Sequence, residues 1–373
     1  MIINRDYITS RISFFITNKQ KEFAQTEKDL KLYRIKYGIP SWIRNIVFSP
    51  FNPLYAIYRS RKKTNTTSSN YAQHPVTVDF MRYCFENDIQ LDTRSFFSEE
   101  DDILIQNFVD SRIKSILSKY DNPELSNEQL KCLQIEKDIT SGAKKWKKGY
   151  HIVYEHINYY MPENTFSYTV LECHYGLKYM PETIKEYIKG KDFLDVGALF
   201  GDAGLMFLQY NPDRIFAYEP VTDSYQKLIA TIEMNSSEKI IPVKKGIGDE
   251  SKSLDISIDV TNTGASTLLN TLSTIKNPET ETINISTIDD ECHDKKVGLI
   301  KMDIEGFEYY AIKGGLNTIK RDKPVLLISI YHTGKDFFEI PPMIKSHVPE
   351  YKFKFLDLSP HRPLSDKIII GYI

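Results

Sequence analysis

The segment Phe193-Leu-Asp-Val-Gly-Ala-Leu-Phe-Gly-Asp-Ala-Gly-Leu205 constrains the fold of this chain more than any other. A short apolar run reaches Asp195, and Gly197 and Gly201 follow at once. An apolar, helix-compatible stretch from Leu205 to Leu208 comes next. A buried strand, a tight turn and a helix start, in that order, have the local shape of a nucleotide-binding crossover. About twenty residues on, Ile215-Phe-Ala-Tyr218 reads as a second strand ending in Glu219. A carboxylate there can accept hydrogen bonds from both hydroxyls of a ribose. Together these features place an adenosine-containing cofactor at the carboxyl edge of a parallel sheet.

After residue 191 strand and helix patterns alternate. Strands are expected at Phe193–Val196, Ile215–Tyr218, Ile240–Val243, Leu299–Met302, Val325–Ile330, Tyr351–Leu356 and Lys367–Tyr372. Helices are expected between most of them, such as Ser224–Met234 and Tyr309–Ile319. Such alternation implies a mainly parallel sheet covered on both faces. The connection Leu358–Asp366, with Pro360 and Pro363, is too short for a crossover and suits an antiparallel pair. The expected fold is therefore Rossmann-like α/β, with a seven-stranded, mostly parallel sheet whose last strand is antiparallel. That is the arrangement of class I methyltransferases.

The 373 residues divide in this reading into an N-terminal helical and amphipathic segment (1–63), a polar linker (64–75), a helical accessory domain (76–164) and the α/β domain (165–373). Ser98 with Asp101, and Ser126 with Gln129, have capping-box spacing. Ile105, Phe108, Val109, Ile113, Ile116 and Leu117 form the apolar face of the first capped helix, which Asn122-Pro123 ends. Leu130 and Leu133 mark one face of the second, which Gly142 closes. Tyr150 to Tyr160 reads as a strand and Pro181 to Ile188 as a short helix. The run Lys144 to Lys148 reads as a solvated loop.

A formal charge of -2 argues against nucleic acid as an obligatory partner. Cys84, Cys132, Cys173 and Cys292 form no CxxC pair, so free thiols in a reducing cytoplasm are expected, without a zinc site. No secretory leader or membrane span is expected. Residues 41–63 combine aromatic and aliphatic side chains with a basic cluster, which allows peripheral contact at the inner face of a membrane. Packing on the rest of the chain is the plainer alternative. The helical N-terminal region also offers a surface for oligomerisation.

The glycine spacing decides between cofactors. Gly197-x-x-x-Gly201 followed by Gly204 departs from the G-x-G-x-x-G of dinucleotide sites. S-adenosylmethionine needs close backbone approach but no pyrophosphate cradle. Asp195 is then expected to face its ammonium, directly or through water. Gly197, Ala198 and Gly201 line its approach, Glu219-Pro220 take the ribose, and Gly246-Ile247 meet the adenine. The fourth strand ends in Lys301-Met-Asp303-Ile-Glu305-Gly-Phe-Glu308. Acids so clustered orient a substrate hydroxyl or attract a divalent cation; a metal is allowed but not expected. Past the fifth strand, His332 is a candidate general base as a neutral imidazole. His174, Tyr175, Lys301 and Tyr331 are candidates for contact with the substrate.

These residues resemble the FkbM-family methyltransferases. Phe193-Leu-Asp-Val-Gly-Ala with Gly201-Asp, Tyr218-Glu-Pro220, Thr287-Ile-Asp289, Ile300-Lys-Met-Asp-Ile-Glu-Gly-Phe-Glu308 and Gly314-Gly315 occur in the family's order, over roughly residues 165–373. His174-Tyr-Gly-Leu177 and Ile328-Ser-Ile-Tyr-His332 look like features of one bacterial branch, whose members often accompany surface-polysaccharide synthesis. The resemblance implies S-adenosylmethionine-dependent O-methylation, commonly of a sugar or polyketide hydroxyl, in a cytoplasmic enzyme with a small-molecule or glycan acceptor. Many members have Glu-x-His at the end of the fifth strand. Here Ser329 or Ile330 stands in the glutamate's place, so His332, Asp303 and Glu305 are expected to form the polar floor of the acceptor site. A nicotinamide-dependent oxidoreductase and a non-catalytic nucleoside-binding scaffold are the competing readings. The absent dinucleotide fingerprint opposes the first, and the intact Asp195, Gly197 and Glu219 oppose the second.

Overall fold

The computed structural model of the protein describes residues 1–23, 75–117, 125–258 and 279–373. The amphipathic stretch at 41–63, nearly all of the 64–75 linker and the Asn122-Pro123 stop lie outside them.

A seven-stranded sheet organises the chain. Its strands are β1 (Asp192–Val196), β2 (Ile215–Tyr218), β3 (Ile240–Val243), β4 (Val297–Met302), β5 (Val325–Ser329), β6 (Lys352–Asp357) and β7 (Lys367–Tyr372). The spatial order is 6-7-5-4-1-2-3. The pairs β3–β2, β2–β1, β1–β4 and β4–β5 are parallel, and β7 is antiparallel to both of its neighbours. This is the expected fold. The strand order reverses between β4 and β1, so the loops after those two strands diverge and leave a crevice at the sheet's carboxyl edge.

Strand periodicity sorts the core into two layers. Leu194 and Val196, Phe216 and Tyr218, Ile300 and Met302, and Leu326 and Ile328 face one side. Phe193, Ile215, Ala217, Leu299, Val325 and Leu327 face the other. On the first side, Ile3 from a short N-terminal strand and Ile8, Phe80, Phe108 and Ile113 from the N-terminal helices pack with Phe337, Phe338 and Phe355. Phe80 meets Phe337 edge to face at 5.1 Å. Helices Arg5–Phe23, Pro75–Glu86 and Glu99–Leu117 are thus part of the sheet's own cover. The helix at Pro75–Glu86 was not foreseen from sequence.

The second side is covered by residues 127–210. Both capping boxes are present. The buried face of helix Asn127–Gly142 is Cys132 and Ile139, with Ile135 half-buried between them. Leu130 is exposed, which corrects the expected face by a rotation about the helix axis. The strand expected at Tyr150–Tyr160 is a hairpin, Gly149–Tyr154 and Ile157–Met161, turned at Glu155 and His156, both with positive φ. Lys144–Trp146 adds an exposed edge strand to it where a loop was expected.

Two further differences bear on the crevice. The helix expected at Tyr309–Ile319 is broken into Glu308–Lys313 and Leu316–Asp322 at Gly314-Gly315. A Cβ on Gly314 would lie 2.1 Å from the Gly248 carbonyl, so the break brings two loops into backbone contact. A small second sheet, Lys252–Ile258, Glu279–Ser286 and Gly246–Ile247, stands beside the β3 edge. The alternations Leu254, Ile256, Ile258 and Ile283, Ile285 carry its signal in the sequence. Among the described residues, no helix is long and apolar enough to cross a membrane.

Candidate active site

A cavity of about 290 Å³ occupies the crevice at the carboxyl ends of β1, β2 and β4. Gly197 forms its first wall. With φ of +78°, its amide and that of Ala198 both donate to the Tyr218 carbonyl at 3.0 Å, which ties the β1 turn to β2. A Cβ on Gly197 would lie 2.0 Å from the Asp303 carbonyl, so the turn and the β4 loop meet only because no side chain intervenes. Gly201, at φ +86°, starts helix Asp202–Phe207 against Leu228 and does not line the cavity, and neither does Ala198.

Asp195 stands behind this wall. It is fully buried behind the turn and pairs with Lys301 at 3.0 Å. It is not on the cavity wall, so it does not face a cofactor ammonium directly. Its charge acts through Lys301, whose Nζ donates to the Gly197 carbonyl at 2.7 Å and which does line the cavity. Burial works against the Lys301 charge, but Asp195 and Asp303 more than offset it and raise the ammonium's pKa.

Glu219 lies on the wall with Pro220, Gly246 and Ile247. Its Oε2 accepts from Leu199 N at 3.0 Å and its Oε1 from Val221 N at 2.9 Å. A carboxylate oxygen has two lone-pair directions, so each retains one for a ligand. Burial pushes the Glu219 carboxyl up to about 7, against the pull of those two amides and of Lys301.

The opposite wall is built from the β4 loop. Asp303 Oδ2 accepts from the Tyr175 hydroxyl at 2.9 Å, and Tyr331 OH lies 3.5 Å from Oδ1. Tyr175 reaches the cavity from a strained turn in which His174, Tyr175 and Gly176 all have positive φ. Glu305, also at positive φ, lines the cavity beside Asp303. Burial pushes its carboxyl up to about 7, with His332 opposing and Asp303 and Glu308 reinforcing.

Three expected contacts are not on the wall. His174 is buried, with Nδ1 2.6 Å from Tyr210 OH and Nε2 3.6 Å from Glu155, so it supports the Tyr175 turn from behind. Tyr331 packs its ring on His332 at 3.9 Å. His332 is 1% exposed, with Nδ1 2.9 Å from Glu308 Oε1 and Nε2 3.5 Å from Asp303 and 3.6 Å from Glu305. Burial alone would lower its pKa, yet Glu308, Glu305 and Asp303 push it up to about 10. Three acids around the ring thus favour the charged imidazolium, which does not accept a proton, over the neutral histidine base that was expected. Glu308 accepts from Ile304 N at 2.8 Å and Gly306 N at 2.9 Å as well, so one acid holds both the loop and the imidazole.

Several wall residues escaped the sequence reading. Asp202, Arg362 and Asp366 lie on the cavity, as do the hydroxyl residues Thr165, Ser167 and Thr169. Asp202 belongs to the glycine segment itself. The others come from chain segments far apart in sequence. Five acids, Asp202, Glu219, Asp303, Glu305 and Asp366, line the cavity together with Lys245, Lys301 and Arg362. The wall thus carries more acidic than basic side chains, and the charge of Lys301 is already paired with Asp195.

The family model described as the methyltransferase FkbM domain matches residues 195–355. Among solved structures, methyltransferase FkbM from Methylobacillus flagellatus KT is similar at 17% identity and a TM-score of 0.40, over 70% of this chain and 65% of that one. The chain thus spans a little under two thirds of that relative. A Pyrococcus abyssi tRNA (uracil-54, C5)-methyltransferase in complex with S-adenosyl-L-homocysteine is similar at 13% identity and a TM-score of 0.34, over 61% of this chain and 45% of that one. For M. jannaschii TYW2 in complex with AdoMet the values are 12% and 0.32, over 61% of this chain and 87% of that one. No curated protein matches the sequence. Residues 195–355, which carry the β1 turn, Glu219, the β4 loop and His332, are the part of the chain that matches the FkbM methyltransferase domain.

Proposed function

We propose that the protein is an S-adenosylmethionine-dependent O-methyltransferase acting on a hydroxyl of a sugar, glycan or glycan precursor. The observation that carries the donor is the acid-rich cavity at the point where the strand order reverses, with Glu219 across from the Gly197 turn. A sulfonium and an ammonium suit a wall with more acids than bases, whereas the pyrophosphate of NAD would meet its ionised carboxylates with like charge. Glu219 takes the ribose diol, and the small second sheet, through Ile256 and Ile283, gives the adenine an apolar wall.

The acceptor enters on the side of Tyr175, Asp303 and Glu305. Hydroxyls from Thr165, Ser167 and Thr169 line the same cavity and, with these carboxylates, offer the mixed donors and acceptors that a polyhydroxylated ligand requires. The sugar class itself comes from the resemblance to FkbM proteins. Catalysis is mainly positioning, with the acceptor oxygen held in line behind the methyl group. The leaving hydroxyl proton goes to Glu305, whose carboxyl is raised close to neutral pH. In this reading residues 165–373 carry the catalytic groups and residues 76–164 complete the cover of their sheet, in a cytoplasmic enzyme.

Deuteromethyl S-adenosylmethionine, incubated with the full chain and pools of nucleotide sugars and oligosaccharides, is expected to give products heavier by one trideuteromethyl group. The label should sit on oxygen by fragmentation mass spectrometry. Label found only on nitrogen or on nucleic acid would refute the acceptor class.

A further inference from the structure

We propose that Asp303, Glu305 and His332 bind one divalent first-row transition-metal ion at the cavity's β4 edge. Its binding is independent of the methyl-transfer reading; only the ion's chemical role rests on it.

The key atom is His332 Nε2. The side chain is 1% exposed, and Nε2 has no hydrogen-bond partner among the described residues. It nevertheless points between Asp303 Oδ1 at 3.5 Å and Glu305 Oε2 at 3.6 Å. Those separations are long for hydrogen bonds. They are close to the spacing of ligands around one ion, where bonds of about 2.1 Å set neighbouring donors about 3.0–3.4 Å apart. The Asp303 and Glu305 carboxylates close on Nε2 to complete a coordination set, Glu305 starting outside the group of Asp303, Glu308 and His332 whose ligand atoms already lie within 4.8 Å of one another.

The surrounding contacts prepare this nitrogen. Glu308 accepts from Nδ1, which fixes the tautomer that leaves a lone pair on Nε2 once the ion displaces its proton. Glu308 is itself held by the amides of Ile304 and Gly306, so the imidazole is oriented before any ion arrives. Tyr175 holds Asp303 through its other oxygen at 2.9 Å, and Oδ1, with the Tyr331 hydroxyl 3.5 Å away, lies toward His332. Ligand atoms of Asp303, Glu308 and His332 lie within 4.8 Å of one another. One imidazole and two carboxylates suit Mn²⁺ or a similar borderline ion better than Mg²⁺, which prefers oxygen alone.

Asp303 and Glu305 both line the cavity, so the ion's open positions face the acceptor. An acceptor hydroxyl replaces Glu305 at the ion, and the ion increases its acidity. The displaced Glu305 carboxylate takes the proton. The oxygen then forms its bond to the methyl carbon as the sulfur–methyl bond breaks, with that electron pair staying on sulfur. The expected acceptor therefore presents a second hard oxygen beside the reacting hydroxyl, such as a vicinal diol or a hydroxy acid.

The test uses the full chain, stripped with chelator and titrated with Mn²⁺ alone, following the electron paramagnetic resonance signal of free Mn²⁺. S-adenosylhomocysteine binding is measured on the same samples. One Mn²⁺ per chain is expected, with affinity reduced at least about tenfold in Asp303→Asn, Glu305→Gln and Glu308→Gln. Glu305 is the half-buried member, so Glu305→Gln decides the matter if the more buried variants do not fold. Wild-type uptake weaker than about 1 mM, or uptake unchanged in Glu305→Gln and Asp303→Asn, would overturn the ion site. S-adenosylhomocysteine binding without Mn²⁺ uptake removes the ion and leaves the methyltransferase reading. Mn²⁺ uptake without nucleoside binding does the reverse.

Discussion

Alanine at position 219 is expected to weaken S-adenosylhomocysteine binding by at least about 100-fold. Glu219 spends one lone pair of each oxygen on the amides of Leu199 and Val221, and both oxygens keep one for the ribose. Two hydroxyl bonds to a charged acceptor are worth about 1.5–3 kcal/mol each. Losing both alone accounts for about 3 kcal/mol or more, and the truncation also frees two amides that shape the turn. The charge must be present for the carboxylate to accept both bonds. Because burial lifts this carboxyl to about 7, affinity should rise about tenfold between pH 6 and pH 8 as the proton leaves. Lys301 and Asp195 are the other charges acting on Glu219, and the paired state of Lys301 does not change over that interval. Glu219→Gln should abolish the part of the slope that belongs to Glu219. Calorimetry across the pH range reads both effects; an unchanged slope in the glutamine variant would remove Glu219 as its source.

The second large effect concerns Lys301. Replacing it with methionine is expected to cost about 3–5 kcal/mol of stability, because Asp195 would be left fully buried and unpaired. The Gly197 carbonyl would lose its donor in the same step, so the cofactor turn loosens along with the core. A double variant, Asp195→Asn with Lys301→Met, removes the stranded charge and should recover much of the loss. Denaturant unfolding of the two variants gives the comparison directly. Equal losses in both would mean that the pair's charge is not what holds the turn.

The sheet was legible because its signal is local. Most of the seven strands are short apolar runs, Lys352–Asp357 alternates instead, and the two-residue period that divides Leu194 from Phe193 into opposite layers needs only neighbouring residues. The glycine turn was legible for the same reason, since φ of +78° at Gly197 and the close approach of Asp303 leave no room for a side chain. The electrostatic content of the site was not local. Whether Asp195 meets a ligand or Lys301 depends on a contact across 106 positions of sequence between adjacent strands. His332 reads as a neutral base until Glu308, Glu305 and Asp303 are seen around it. Tyr175 and Arg362 reach the cavity by long-range packing that no spacing rule encodes. The break at Gly314-Gly315 lay in plain view, but its cause, the Gly248 backbone, comes from another loop.

Calorimetric titration of the full chain with S-adenosylmethionine, S-adenosylhomocysteine and NAD in parallel tests the assignment of this cavity most directly. Micromolar binding of both sulfur nucleosides, with no heat from NAD, is the predicted result. Binding of NAD, or of none of the three, would contradict it.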